Sequence, residues 1–312
     1  MTVKTLFLKT KKSHYLIISS LIVLLLSGCG STSKLKAPIS VMDNSVIDSV
    51  LTEISRTNKT ITEKMDYYSG LFLGMDYSWE STGDGPYALL EDWPLVNFQN
   101  TNCMVYCEHV LALAISDSWD NFFNNLQQIR YKDGVIGMRS RNHYTMGDWL
   151  PENGWILDDV TRKTGGSYTK TATRTISHKN FFENKGITDL RHIKPDREIT
   201  IDYIPFEDVE KIGNNLKTGD IMAIIFADKT DIFAAHMLMA IRKNDGLYIR
   251  ESTTINMSTF DTPFRDWTAS RGINERYIGL SVMRVKDELN RPGRIILPWE
   301  IPDLKKKYMN IK

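Results

Sequence analysis

Seven consecutive apolar residues, Ile221-Met222-Ala223-Ile224-Ile225-Phe226-Ala227, do most to limit what this chain can fold into. A run this apolar, opened by the turn Lys217-Thr218-Gly219-Asp220, is a strand of the fully buried type. A polar turn over 228–231 follows, and His236-Met237-Leu238-Met239-Ala240-Ile241 is a second apolar strand. Asn244-Asp245-Gly246 is a hairpin signal leading into Leu247–Glu251. Glu198–Ile204 and Tyr277–Val285 are further strands. The first half of the chain has helical spacing instead, over Val46–Met65, the stretch after Asn102, and Trp119–Ile129. Thr173–Asn184 and Pro205–Leu216 read as shorter helices. Leu71–Trp93 is rich in Gly and aromatics, among them Tyr77 and Trp79, and reads as a loop segment able to wall a cleft. Asp158–Thr171 reads as loop. Helices first and a meander after them give an α+β fold, with helices on one side of an antiparallel sheet.

The stretch Thr101-Asn102-Cys103-Met104-Val105-Tyr106-Cys107-Glu108-His109 carries the chemistry. Asn102 is suited to cap a helix, because its side-chain oxygen accepts an orphan N–H of the first turn. Cys103 then lies in that first turn. There the helix dipole and unpaired N–H groups favour an anion, so its thiol ionises more readily. A thiolate at a helix start is an activated nucleophile. The bland alternative is a small core residue.

The N-terminus points to export. Lys4, Lys9, Lys11 and Lys12 precede an apolar run from Tyr15 to Leu26, and Leu26-Ser27-Gly28-Cys29 follows. This is the layout of a signal peptide over 1–28 that ends in a bacterial lipobox, with Cys29 cleaved free and lipidated. Residues 29–45 are small and polar and read as a tether, and 46–312 as a single domain. Residues 1–28 hold four lysines and no acid, so 39 basic and 38 acidic residues become 35 and 38. That balance argues against a nucleic-acid partner. The expected location is the cell envelope, lipid-anchored through Cys29 to the outer membrane and facing the periplasm.

With Cys29 assigned to lipid, Cys103 and Cys107 remain, one helical turn apart. A disulfide between them would be strained. Cys103, Cys107 and His109 resemble part of a metal site, but no second ligand cluster completes it. A cysteine nucleophile needs a base. Of the six histidines, His14 is in the signal, His178 and His192 sit in polar segments, and His109 faces away from Cys103. His143 lies in a loop dense in polar and aromatic groups: Arg139, Arg141, Asn142, His143 and Trp149. Such a loop suits the gripping of sugar and peptide; the alternative is a solvated loop. His236 opens a buried strand and needs a partner there, so it is the candidate base.

These motifs come in an order that resembles the N-acetylmuramoyl-L-alanine amidase-like branch of the NlpC-related cysteine hydrolases. Cys103 to Ala114 is similar to that family's nucleophile helix. Ile129–Gly134 with Ser140–Tyr144 and Asp148-Trp149 is similar to its next motif, and Leu216–Asp220 with His236 to its base-bearing hairpin. The resemblance spans roughly Leu71 to Val285. It implies a papain-like (NlpC-type) fold and an amidase acting on peptidoglycan or a muropeptide through Cys103 and His236, with no metal or other cofactor required. Two departures stand out. Asn102 replaces a commonly acidic residue, and Arg250-Glu251-Ser252 stands where a His-Ala-Ser run supplies the third catalytic residue. Aligning the arginines makes Glu251 that residue. A γ-D-glutamyl–diamino acid endopeptidase and a non-catalytic peptidoglycan-binding lipoprotein are the rival expectations.

Overall fold

The computed structural model describes residues 37–271 and 274–309. The expected signal segment, Cys29 and the tether up to residue 36 lie outside them. Packing begins earlier than the tether reading expects. Ile39 is buried and its N–H donates to Leu71 O at 2.9 Å, so the polar tether does not extend to residue 45.

Four N-terminal helices lead the fold: α1 (Asn44–Ser55), α2 (Ile61–Gly70), α3 (Cys103–Ala114) and α4 (Trp119–Arg130). The single helix expected over Val46–Met65 is two. Thr60 breaks it with a capping box: Thr60 Oγ1 accepts from Glu63 N–H, and the Glu63 carboxylate accepts from Thr60 N–H at 2.7 Å. From Val105 to Ala114 every residue of α3 is buried. Its two polar members are satisfied inside, Glu108 by Arg130 Nε at 2.8 Å and His109 by Val105 O at 2.8 Å, and each leucine enclosed here stabilises by about 2 kcal/mol.

Ten strands among the described residues form one sheet. They are β1 (Asp76–Tyr77), β2 (Asn100–Thr101), β3 (Leu157–Asp159), β4 (Lys170–Ile176) and β5 (Arg197–Pro205), then β6 (Ile221–Phe226), β7 (Ala234–Lys243), β8 (Gly246–Thr253), β9 (Ser258–Pro263) and β10 (Tyr277–Val285). The order is β2-β1-β9-β8-β7-β6-β10-β5-β4, with β3 paired off this path to β10. The pairings are antiparallel apart from β1 with β2, which is parallel.

The sheet is covered on both faces rather than one. Ile221, Ala223 and Ile225 of β6 pack with α3, while Met222 and Ile224 join Leu238, Val282 and Trp267 on the other side. The helix Phe264–Arg271 and the short helical segments Phe206–Val209 and Glu210–Asn215, within the stretch expected to be a short helix, supply that second cover. This double burial is why β6 reads as a continuous apolar run.

Two further expectations change. Thr173–Asn184 is not one helix: β4 takes its first residues, and the helix His178–Asn184 starts after a Ser177 cap. Thr171, Thr173 and Thr175 are β-branched and fit a pleated surface, and Thr173 pairs with Thr200 through their hydroxyls at 2.8 Å. The strand β9 was not expected at all, because Ser258-Thr259-Phe260-Asp261 carries no apolar run.

The C-terminal segment binds the helices together. Lys64 Nζ donates to Arg294 O at 2.6 Å, Thr62 N–H to Asn290 Oδ1 at 3.0 Å, and Asn125 Nδ2 to Ile296 O at 2.8 Å. Ile296 N–H reaches Ile115 O, just past α3, at 2.9 Å.

Candidate active site

Asn102 caps α3 through its side chain, which accepts from Val105 N–H at 3.0 Å. Cys103 is the first helical residue and is half-buried. Burial pushes its thiol up. The facing His236 imidazolium, a hydrogen bond to that ring, and the backbone N–H groups of Met237 and Met104 pull it down further, so it ends below the ordinary thiol value. Cys107, one turn on, is enclosed, and burial leaves its thiol well above the ordinary value. The same helix carries one cysteine made acidic and one made inert.

His236 reaches the thiol from β7 through a local irregularity. Ile224 pairs with His236, but Ile225 pairs with Ala234, so Ala235 is an extra residue opposite β6. A β-bulge of this kind bends a strand and re-aims the adjacent side chain. His236 Nε2 meets Glu251 Oε2 at 2.8 Å, which leaves Nδ1 for the thiol. Burial works against the imidazolium, but the Cys103 thiolate and the Glu251 carboxylate outweigh it and raise His236 to about 9.

Glu251 is 1% exposed. Burial raises its carboxyl, while His236 and Arg271 lower it further, for a net value below the ordinary one. Arg271, the last residue of the helix Phe264–Arg271, places Nη2 at 3.1 Å from Oε1 and 3.3 Å from Oε2. Four groups of alternating charge, Cys103, His236, Glu251 and Arg271, thus stand in sequence. Arg250 points the opposite way along β8, as alternation requires. It grips Asp261 with two bonds, at 2.7 and 2.8 Å, and donates to Ser69 Oγ at 2.8 Å.

Arg271 escapes sequence reasoning because it sits outside every motif, 20 residues from Glu251. Tyr77 was legible only as part of the segment able to wall a cleft. Burial first, and the negative charge of Cys103 next, discourage its ionisation.

The proposed gripping loop is mostly internal. Trp149 is fully buried, which removes it from contact with a ligand. Asn142 is buried, with Nδ2 3.4 Å from Ile129 O. His143 Nε2–H donates to Met138 O at 2.6 Å and the ring lies 4.2 Å from that of Phe181, where burial lowers it to about 4. Arg141 is spent on Asp84 at 2.5 Å and Glu91 at 2.6 Å. Arg139 lines an open groove of about 1100 Å³ with Tyr87, Leu89, Val135 and Ile136, while itself held by Asp189 at 3.0 Å. That groove includes none of Cys103, His236 and Glu251.

A family model described as AmiA-like, N-acetylmuramoyl-L-alanine amidase-like, matches residues 67–273, more than half of the chain and all four groups of the charge series. The chain belongs to this amidase-like family. Solved structures share the fold. Protein LPG0564 from Legionella pneumophila str. Philadelphia 1 superposes with a TM-score of 0.71 at 20% identity, over 81% of this chain and 96% of its own. An N-acetylmuramoyl-L-alanine amidase from Bacteroides uniformis ATCC 8492 gives 0.58 at 23% identity, over 73% and 99%. No curated protein matches. In this amidase-like chain the matched region begins in α2 and ends just past Arg271, so the C-terminal segment that binds the helices lies beyond it.

Proposed function

We propose that this chain is a cysteine amidase of the cell envelope that cuts the bond between N-acetylmuramic acid and L-alanine in peptidoglycan fragments. The observation that carries the reading is the line Cys103–His236–Glu251, with a thiol lowered and an imidazole raised to about 9. A thiolate–imidazolium pair is the resting state a cysteine hydrolase needs.

The thiolate attacks the lactyl carbonyl, and the carbonyl oxygen becomes an oxyanion. Asn102 already occupies the Val105 and Tyr106 N–H groups, the latter through its carbonyl at 2.8 Å. The Met104 N–H bonds the thiol, so the Cys103 N–H is the first-turn donor left to the oxyanion, and the Tyr77 hydroxyl is a second donor. His236 gives its proton to the departing L-alanine nitrogen as the C–N bond breaks. Neutral His236 then takes a proton from water, whose oxygen displaces sulfur from the acyl group. Glu251 holds the ring so that Nδ1 faces the thiol, and Arg271 keeps Glu251 ionised.

This arrangement is of the papain type. The motif Leu26-Ser27-Gly28-Cys29 supports a lipid anchor at Cys29, which would hold the enzyme on a membrane facing the wall. Mass spectrometry of defined muropeptides treated with the parent chain and with Cys103→Ala tests the assignment. Release of the free tetrapeptide by the parent alone is expected. Equal cleavage by both would end the cysteine mechanism, and cleavage after D-glutamate would reassign the bond. Loss of membrane fractionation on Cys29→Ser tests the anchor.

A further inference from the structure

We infer that Trp79 is the platform on which the amino-sugar ring of the substrate rests, on the acyl side of Cys103. This deepens the amidase reading and rests on it.

The backbone sets the position. The parallel pair β1–β2 matches Tyr77 with Thr101, and Ser78 N–H donates to Thr101 O at 2.8 Å. The pair ends there: the chain turns at Trp79 on one side and enters α3 at Cys103 on the other, so both residues lie two positions beyond the last paired residues. Tyr77 ends β1 and Trp79 opens the turn that follows it. Their rings meet edge to face, 5.3 Å apart at 86°. Tyr77 is the inner ring, at 7% exposure and within reach of the Cys103 charge, and Trp79 is the outer one at 75%.

An indole left this open contributes little burial to the fold. It is nonetheless held. On one side Ser78 is tied to Thr101. On the other, Ser81 is fully enclosed, with its hydroxyl donating to Asn100 O at 2.9 Å and its carbonyl accepting from Asn97 Nδ2 at 2.8 Å. Trp79 is therefore a short excursion between two fixed points. A pre-positioned aromatic face loses little entropy when it takes a ligand.

The order of strands says which part of the substrate it meets. His236 comes from β7, while Tyr77 comes from β1 and Trp79 from the turn just after it, and β8 and β9 stand between those strands in the sheet. The amine leaves on the side of the group that protonates it. The acyl group then extends the other way, toward Tyr77 and Trp79. In the amidase reading, the lactyl group is joined through one ether oxygen to a pyranose. One face of a pyranose is a row of C–H groups, apolar and flat enough to lie on an indole, while its hydroxyls and acetamido group stay in water.

Two substrates with the same scissile bond test this: an N-acetylmuramoyl peptide and the corresponding N-lactoyl peptide without the sugar. Trp79→Ala is expected to lower kcat/KM on the first roughly ten- to hundredfold more than on the second, chiefly through KM, with Trp79→Phe restoring most of the loss. Equal losses on both substrates, or none on either, would overturn the inference. Binding of the free N-acetylmuramyl disaccharide to the Cys103→Ala chain, measured by calorimetry, separates the two readings. Sugar binding that depends on Trp79 in a chain whose parent cuts neither substrate ends the amidase reading and supports the platform. Cleavage by the parent with sugar binding indifferent to Trp79 does the reverse.

Discussion

His236 Nε2 and Glu251 Oε2 lie 2.8 Å apart, and the carboxylate is enclosed by the sheet and by Arg271. Glu251 stands where a third residue is needed, and a carboxylate there does more than orient the ring, because it also raises His236. The reactive ion pair survives until His236 loses its proton near pH 9. The alkaline limb of kcat/KM is therefore expected near pH 9. Glu251→Gln removes the negative charge that favours imidazolium, so that limb moves to lower pH and activity falls about 10²- to 10⁴-fold. A rate profile between pH 5 and pH 10 of both proteins checks it. An unmoved limb would assign Glu251 to packing.

The two thiols of α3 differ in burial and in charge environment. Brief treatment with iodoacetamide at mildly acidic pH is expected to place one adduct on Cys103, with Cys107 modified only after unfolding. Peptide mapping reads the result. Adducts on both cysteines in the folded protein would contradict it.

Lys64 is buried, with its ammonium against Arg294 O, and burial followed by the nearby Arg294 charge lowers it to about 8. Its folded value is depressed below 10.5, so between roughly pH 8 and pH 10.5 the unfolded chain binds more protons than the folded one. Stability contributed at this position rises across that window and is least below pH 8. Urea unfolding of the parent and of Lys64→Met, compared at pH 7 and pH 9.5, isolates the effect. The parent is expected to gain on the variant as pH rises.

Asp148 is fully enclosed, with His178 Nε2, Lys194 Nζ and Arg197 Nη2 each at 2.8 Å. Asp148→Asn leaves three basic groups around a neutral amide. A loss of about 3–5 kcal/mol is expected, measurable by chemical unfolding. An unchanged midpoint would mean that the cluster contributes nothing to the fold.

How much of this was legible in the sequence follows from what kind of signal each feature leaves. Local patterns were legible: β10 runs over Tyr277–Val285 as its alternation and apolar run indicate, and Asn102 caps α3. Features created by pairing were not. The bulge at Ala235 exists only in the register of β7 on β6. Arg271 acquires meaning only when a helix after β9 returns to β8. The segment Arg139–Trp149 misleads for a related reason. Its arginine and aromatics look like groups awaiting a ligand, but Asp84, Glu91, Phe181 and Phe182 already satisfy them from distant parts of the chain. Composition does not distinguish a surface open to solvent from one closed by the protein itself.

The tie between Lys64 and Arg294 joins residues 230 positions apart, and Ile296 closes on Ile115 across a similarly long stretch. A chain made N-terminus first delivers α2 and α3 long before these partners. Until the last twenty or so residues emerge, the helix bearing Cys103 has an open flank. That helix is therefore closed last, and a molecule cut short before Arg294 leaves it uncovered.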